Sequence, residues 1–132
     1  MGAWSHEPFG NDTACDWAYE LDDATDLSII ESAIDAVLDE ELDYIDASDA
    51  EEAIAAIEVL AKLLGHGTQT DSYTERADEW VQQVKLLPHP ELIQKAKTAI
   101  GVILSEKSEL VELWGDNEDW QTSMAQLMAA IH

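Results

Sequence analysis

Along almost the whole chain, apolar side chains return every three or four residues, and no stretch alternates apolar with polar over the length of a strand. A return of three to four places the apolar set on one face of a helix, whereas a half-buried strand requires alternation. The chain must therefore bury its apolar surface by packing helices on helices. Breakers are few, with 3 Pro and 6 Gly in 132 residues, and Ala, Leu, Glu and Asp recur throughout. A hydrophobic fraction of 46% argues for a folded core despite a net charge of −23.

The periodicity divides the chain into elements. Residues 11–23 predict a helix with Asn11 and Asp12 as candidate caps and Ala14, Trp17, Ala18 and Leu21 on one face. Residues 26–41 place Leu27, Ile30, Ile34, Val37 and Leu38 on a core stripe, with Glu31, Asp35 and Asp39 on the wet side. Ser48 and Glu51 have capping-box spacing, and the helix they open turns Ala53, Ile54, Ile57, Leu60, Ala61 and Leu64 inward before Gly65 ends it. Ser72 and Glu75 predict a second capping box, opening a helix with Tyr73, Ala77, Trp80, Val81, Val84 and Leu87 on its apolar face.

Pro88-His89-Pro90 stops that helix, and Pro90 suits the first turn of the next, which carries Leu92, Ile93, Ala96, Ile100, Ile103 and Leu104. Gly101 inside it predicts a close helix contact. After a break at residues 105–108 come Leu110, Val111, Leu113 and Trp114. Gly115 to Asn117 then turns the chain into a last helix bearing Trp120, Met124, Leu127, Met128 and Ile131. The expectation is one all-α domain over residues 1–132, an irregular helical bundle of six or seven helices.

Charge is distributed far less evenly than hydrophobicity. Up to Ala61 there are 18 of the 29 carboxylates and no Lys or Arg; all six basic residues follow, beginning with Lys62. Such a field repels nucleic acid and anionic membrane and attracts basic protein surfaces. The block Asp35, Asp39, Glu40, Glu41, Asp43, Asp46, Asp49, Glu51 and Glu52 is the densest part. It reads as a docking face for a basic partner, as a mimic of nucleic-acid phosphates, or as a solvated or salt-adapted surface. The return of Lys and Arg after residue 61 favours docking over salt adaptation, which would spread evenly.

Other chemistries lack their residues. The acidic block contains no Gly and so cannot form a calcium loop of EF-hand type. His6, His66, His89 and His132 are scattered and give no zinc pair at helical spacing, and no Glu-x-x-His pair exists for a di-iron centre. No phosphate-binding Gly-rich turn is present. No metal or cofactor is expected. Cys15 excludes an internal disulfide and reads as a small half-buried side chain, with a nucleophilic role the sharper alternative. No apolar run reaches the roughly 20 residues that span a bilayer. Neither a signal peptide nor a myristoylation site is visible at the start, so a cytoplasmic location is expected.

The opening stretch is the most distinctive: Gly2-Ala3-Trp4, then Pro8-Phe9-Gly10-Asn11-Asp12-Thr13-Ala14-Cys15-Asp16-Trp17. It resembles a bacterial family of small helical proteins of unknown function that begin Met-Gly-x-Trp and continue through Phe-x-Asn-Asp-x-Ala-x-Asp-Trp. Ser108-Glu109-Leu110-Val111-Glu112-Leu113-Trp114 looks like the C-terminal pattern of the same family. The resemblance implies no catalytic activity. In physical terms Phe9, Asn11 or Asp12, and Trp17 read as scaffold, while Asp12 and Asp16 at i,i+4 present two carboxylates.

The reading these residues support is a non-catalytic interaction protein that binds a basic protein through Glu31, Asp35, Asp39, Glu40, Glu41, Asp43, Asp46, Asp49 and Glu52. Its most concrete form is an immunity protein that occludes a basic toxin. The alternatives are a small metal-dependent or thiol enzyme around Asp12, Asp16 and Cys15, and a nucleic-acid mimic.

Overall fold

In the computed structural model, residues 5–39 and 43–131 are described. Trp4, Glu40, Glu41 and His132 lie outside them. The described residues form seven α-helices: α1 (Asp12–Ala18), continued by a 3-10 turn (Tyr19–Asp23), α2 (Ser28–Leu38), α3 (Ala47–Leu63), α4 (Glu75–Val84), α5 (Pro90–Ile103), α6 (Glu109–Trp114) and α7 (Glu118–Ala130). The architecture is an all-α irregular bundle.

α3 is its axle. Every residue from Ala53 to Ala61 is buried, so this helix has no solvent face over that span. Five alanines (Ala50, Ala53, Ala55, Ala56 and Ala61) keep its surface slim, which lets neighbouring helices approach on several sides. Helices α1, α2, α4, α5, α6 and α7 all pack on it. The expected one-sided stripe of Ala53, Ile54, Ile57, Leu60, Ala61 and Leu64 thus described only part of what α3 buries. An Ala-rich helix hides its remaining faces by fitting between neighbours, not by carrying large apolar groups.

Several local expectations hold in detail. Asn11 caps α1 through its Oδ1, which accepts from the Ala14 amide at 2.7 Å. Gly65 adopts φ +83 after α3, with the His66 amide donating to the Ala61 carbonyl and the Gly65 amide to the Lys62 carbonyl, the two bonds of a Schellman ending. Pro90 opens α5, and Nδ1 of His89 accepts from the Leu92 amide. Trp17, Trp80 and Trp120 are core residues. Trp114 is half-buried and stacks on Trp120 with ring centroids 6.4 Å apart.

Others are corrected. α3 begins at Ala47, so Ser48 is already inside it and forms no cap. The Ala47 amide instead donates to Oε1 of Glu109 at 2.7 Å, a carboxylate from α6. The register is fixed by a two-bond bridge, Ile45 amide to Lys107 carbonyl and Glu109 amide to Ile45 carbonyl. The Ser72–Glu75 box is also absent: α4 starts at Glu75, and Thr74 occupies the cap position. Tyr73 is 51% exposed. Leu87 does not belong to α4, which ends where Lys85 turns left-handed (φ 49), and it is 79% exposed. Gly101 faces open space, so no helix approaches there.

Candidate acidic binding groove

α1 and α2 both lie along α3 with little direct contact between them. The gap is a groove. Trp17 and Glu20 line it from the α1 side, Ser28, Ile29, Ser32, Ala33 and Ala36 from α2, and Glu52 from α3. Its extension along α1 adds Thr13, Asp16 and Ser48. Apart from Ile29, α2 lines the gap with small residues, among them Ser28, Ser32 and Ala36 at i, i+4 and i+8, which leaves it unfilled. The lining contains three carboxylates, Asp16, Glu20 and Glu52, and no basic residue. Burial pushes the Glu52 carboxyl up, and the neighbouring negative charges of Glu20 and Asp49 push it further.

Three basic side chains form ion pairs away from this groove. Nζ of Lys95 from α5 reaches Oε2 of Glu31 at 3.2 Å and Oδ1 of Asp35 at 3.0 Å, so these two members of the expected docking face meet a cation within the fold. Arg76 pairs with Asp22 and lies 4.0 Å over the Tyr19 ring. Lys62 is inside the protein, bonded to Oδ1 of Asp78 at 2.7 Å, to the Gln69 carbonyl, and 3.7 Å from Glu58. Among the described residues, no ion pair reaches Asp43, Asp46, Asp49 or Glu52. Asp39, Asp43 and Asp46 are exposed, and Asp49 and Glu52 half-buried. Glu51 turns away from the outer face: burial raises its pKa, a hydrogen bond with Thr13 opposes the rise, and the charge of Glu109 adds to it.

Sequence reasoning named Glu52 but not its partners in the groove. Glu20 enters no sequence expectation, and Asp16 enters only with Asp12 and Cys15. The available signal was the Asp16–Glu20 spacing of four combined with the small residues Ser28, Ser32 and Ala36, where a packed helix would carry larger ones.

A second polar cluster is structural. Glu58, wholly buried in mid-α3, accepts from the Thr68 amide (2.8 Å), the Thr68 hydroxyl (2.7 Å) and the Gln69 amide (2.9 Å). Oε1 of Gln69 in turn accepts from the Phe9 amide at 2.8 Å, tying the N-terminal stretch to the loop after α3. At Gly67 a Cβ would stand 2.6 Å from Cγ of Lys62, so a larger residue there would have to displace the Lys62 side chain from its partners.

The N-terminal Asp/Cys set does not converge on a reactive thiol. Cys15 donates weakly to the Phe9 carbonyl at 3.7 Å, and burial, followed by the charges of Asp12, Asp16 and Asp71, raises its pKa. A nucleophilic thiolate needs the opposite shift. Nδ1 of His6 lies 3.3 Å from the Ser123 hydroxyl in a small gap lined also by Trp114 and Trp120. Among the described residues, no group of three or more His, Cys, Asp or Glu is placed to hold a metal ion, and no helix is long and apolar enough to cross a membrane.

A family profile described as Domain of unknown function (DUF4259) matches residues 2–126. No curated protein and no solved structure gives a significant match to the chain.

Proposed function

We propose, for a chain that belongs to the family described as Domain of unknown function (DUF4259), a non-catalytic role as an acidic interaction protein that binds a basic protein. Among the described residues the face takes in Asp39, Asp43, Asp46, Asp49 and Glu52, with Glu31 and Asp35 at a margin paired with Lys95; Glu40 and Glu41, expected in it, lie outside the described residues. One observation carries this reading: among the described residues, ion pairs tie Lys62, Arg76 and Lys95 to other carboxylates and leave Asp43, Asp46, Asp49 and Glu52 without one. Carboxylates that these ion pairs do not reach are available to steer a cationic partner.

The most concrete form is a bacterial, cytoplasmic immunity protein that covers the cationic cleft of a toxin. The opening signature fits a scaffold role within such a protein: Phe9 is wholly buried, Asn11 caps α1, and Trp17 anchors it.

The test is a kinetic binding measurement against candidate basic proteins. The association rate is expected to fall about tenfold or more between roughly 50 and 500 mM NaCl, because screening shortens the reach of the field. Neutralising Asp43, Asp46 and Asp49 together to Asn should slow association at low salt and flatten that dependence. A rate indifferent to salt and to these substitutions would remove the docking role.

A further inference from the structure

We propose that the groove between α1 and α2 seats a single long cationic side chain, an arginine, projected by the basic partner. This deepens the docking role and rests on it. The groove combines an apolar wall with carboxylates and no basic residue. Its apolar lining, Trp17, Ile29, Ala33 and Ala36, offers surface to three methylene groups, and Glu20 and Glu52 in the same lining offer acceptors to a guanidinium. Arginine suits the place better than lysine, since a planar fork engages two carboxylates at once and sheds its hydration more readily.

Charge complementarity decides the occupant. Asp16, Glu20 and Glu52 meet no basic residue in the groove lining. Glu52 is held against the charges of Glu20 and Asp49 and is partly desolvated. An entering cation relieves that repulsion, whereas an anion or a neutral apolar chain leaves it in place. The space is not left over from poor packing of large residues. It exists because α2 presents Ser28, Ser32 and Ala36 where it passes α1.

The experiment uses 15N-labelled full-length protein titrated with a short neutral-capped peptide carrying one arginine, followed by amide and indole chemical shifts. Shifts are expected to concentrate on Trp17, Glu20, Ala33, Ala36 and Glu52. Ala36→Leu fills the groove without changing charge, and Ala36 is exposed, so the variant folds; it should weaken peptide binding about fivefold or more. Glu20→Gln with Glu52→Gln should do the same, and Asp43→Asn with Asp46→Asn, an equal charge change outside the groove, should cost less than about twofold. If the shifts spread over residues 43–49 and Ala36→Leu binds as wild type does, the groove is not the seat, while the acidic docking face still stands on its own salt test. A lysine peptide that binds as tightly as the arginine peptide would overturn the choice of side chain.

Discussion

Lys62, the first basic residue along the chain, ends its side chain inside the protein, 5% exposed, beside the wholly buried Glu58. A buried carboxylate is tolerated only where hydrogen bonds replace its water, and Glu58 has the Thr68 and Gln69 groups for that purpose. Glu58→Ala would leave two backbone amides and part of the Lys62 charge unpaired; it should cost about 3–5 kcal/mol in urea unfolding. Glu58→Gln keeps one acceptor oxygen and should cost less than half as much. The pH dependence has a defined sign. Glu51, Glu52 and Glu58 all have folded pKa values raised above their ordinary range, so the folded state binds their protons more tightly than the unfolded chain. Their contribution is full below the unfolded value near ~4.3 and is lost as pH rises through the raised folded values. Thermal unfolding midpoints should therefore rise as the pH is lowered from about 7 to about 5, and Glu52→Gln should remove part of that rise. Asp26, lowered by its bonds from Ser28, acts with the opposite sign and only at lower pH. A midpoint that falls steadily over this range would show that these carboxylates are stabilised as anions.

At the scale of elements, α3 depends on a cap supplied from 62 residues away, the Glu109 carboxylate on the Ala47 amide. Glu109→Ala should destabilise the fold by about 1 kcal/mol, while Ser48→Ala, at the position a local capping box would use, should change stability by less than about 0.5 kcal/mol. Equal effects in denaturant titrations would contradict the long-range cap. This contrast marks the boundary of what could be read from the chain alone. Signals contained within a few residues were legible: Asn11 before Ala14, Gly65 after α3, Pro90 after His89 and the stripe of α2 all specify their own geometry. The capping boxes at Ser48 and Ser72 failed because spacing states what a side chain could reach, and here the backbone groups met other partners. The burial of Leu87 failed because Lys85 turns the chain out of the helix two residues earlier. The groove was only half legible. Its carboxylates stand in the sequence, but the gap depends on α1 and α2 both choosing α3 and not each other, a property of packing that no single helix records.

Across the whole molecule, a formal charge of −23 on 132 residues acts on stability and on association with opposite signs. Self-repulsion raises the free energy of the compact state, since folding brings the carboxylates closer together than they lie in the extended chain. Cations offset this unevenly: Lys95 joins α5 to α2, Arg76 joins α4 to the turn after α1, and Lys62 joins α3 to α4, so each of these three links two elements. Screening should therefore favour the fold. Raising NaCl from about 20 to about 500 mM should stabilise the protein by about 1–2 kcal/mol, a midpoint increase of roughly 3–8 °C. The same salt should slow capture of a basic partner, because the repulsion it relieves is the attraction the partner uses. Measuring both on one sample separates general repulsion from a dedicated cation site. Magnesium or calcium chloride matched to NaCl in ionic strength should raise the midpoint to a similar degree if the effect is screening. A much larger rise with one divalent ion at about millimolar concentration would instead mean that carboxylates converge on that ion, and the groove would then have to be read as a metal site and not as a seat for arginine.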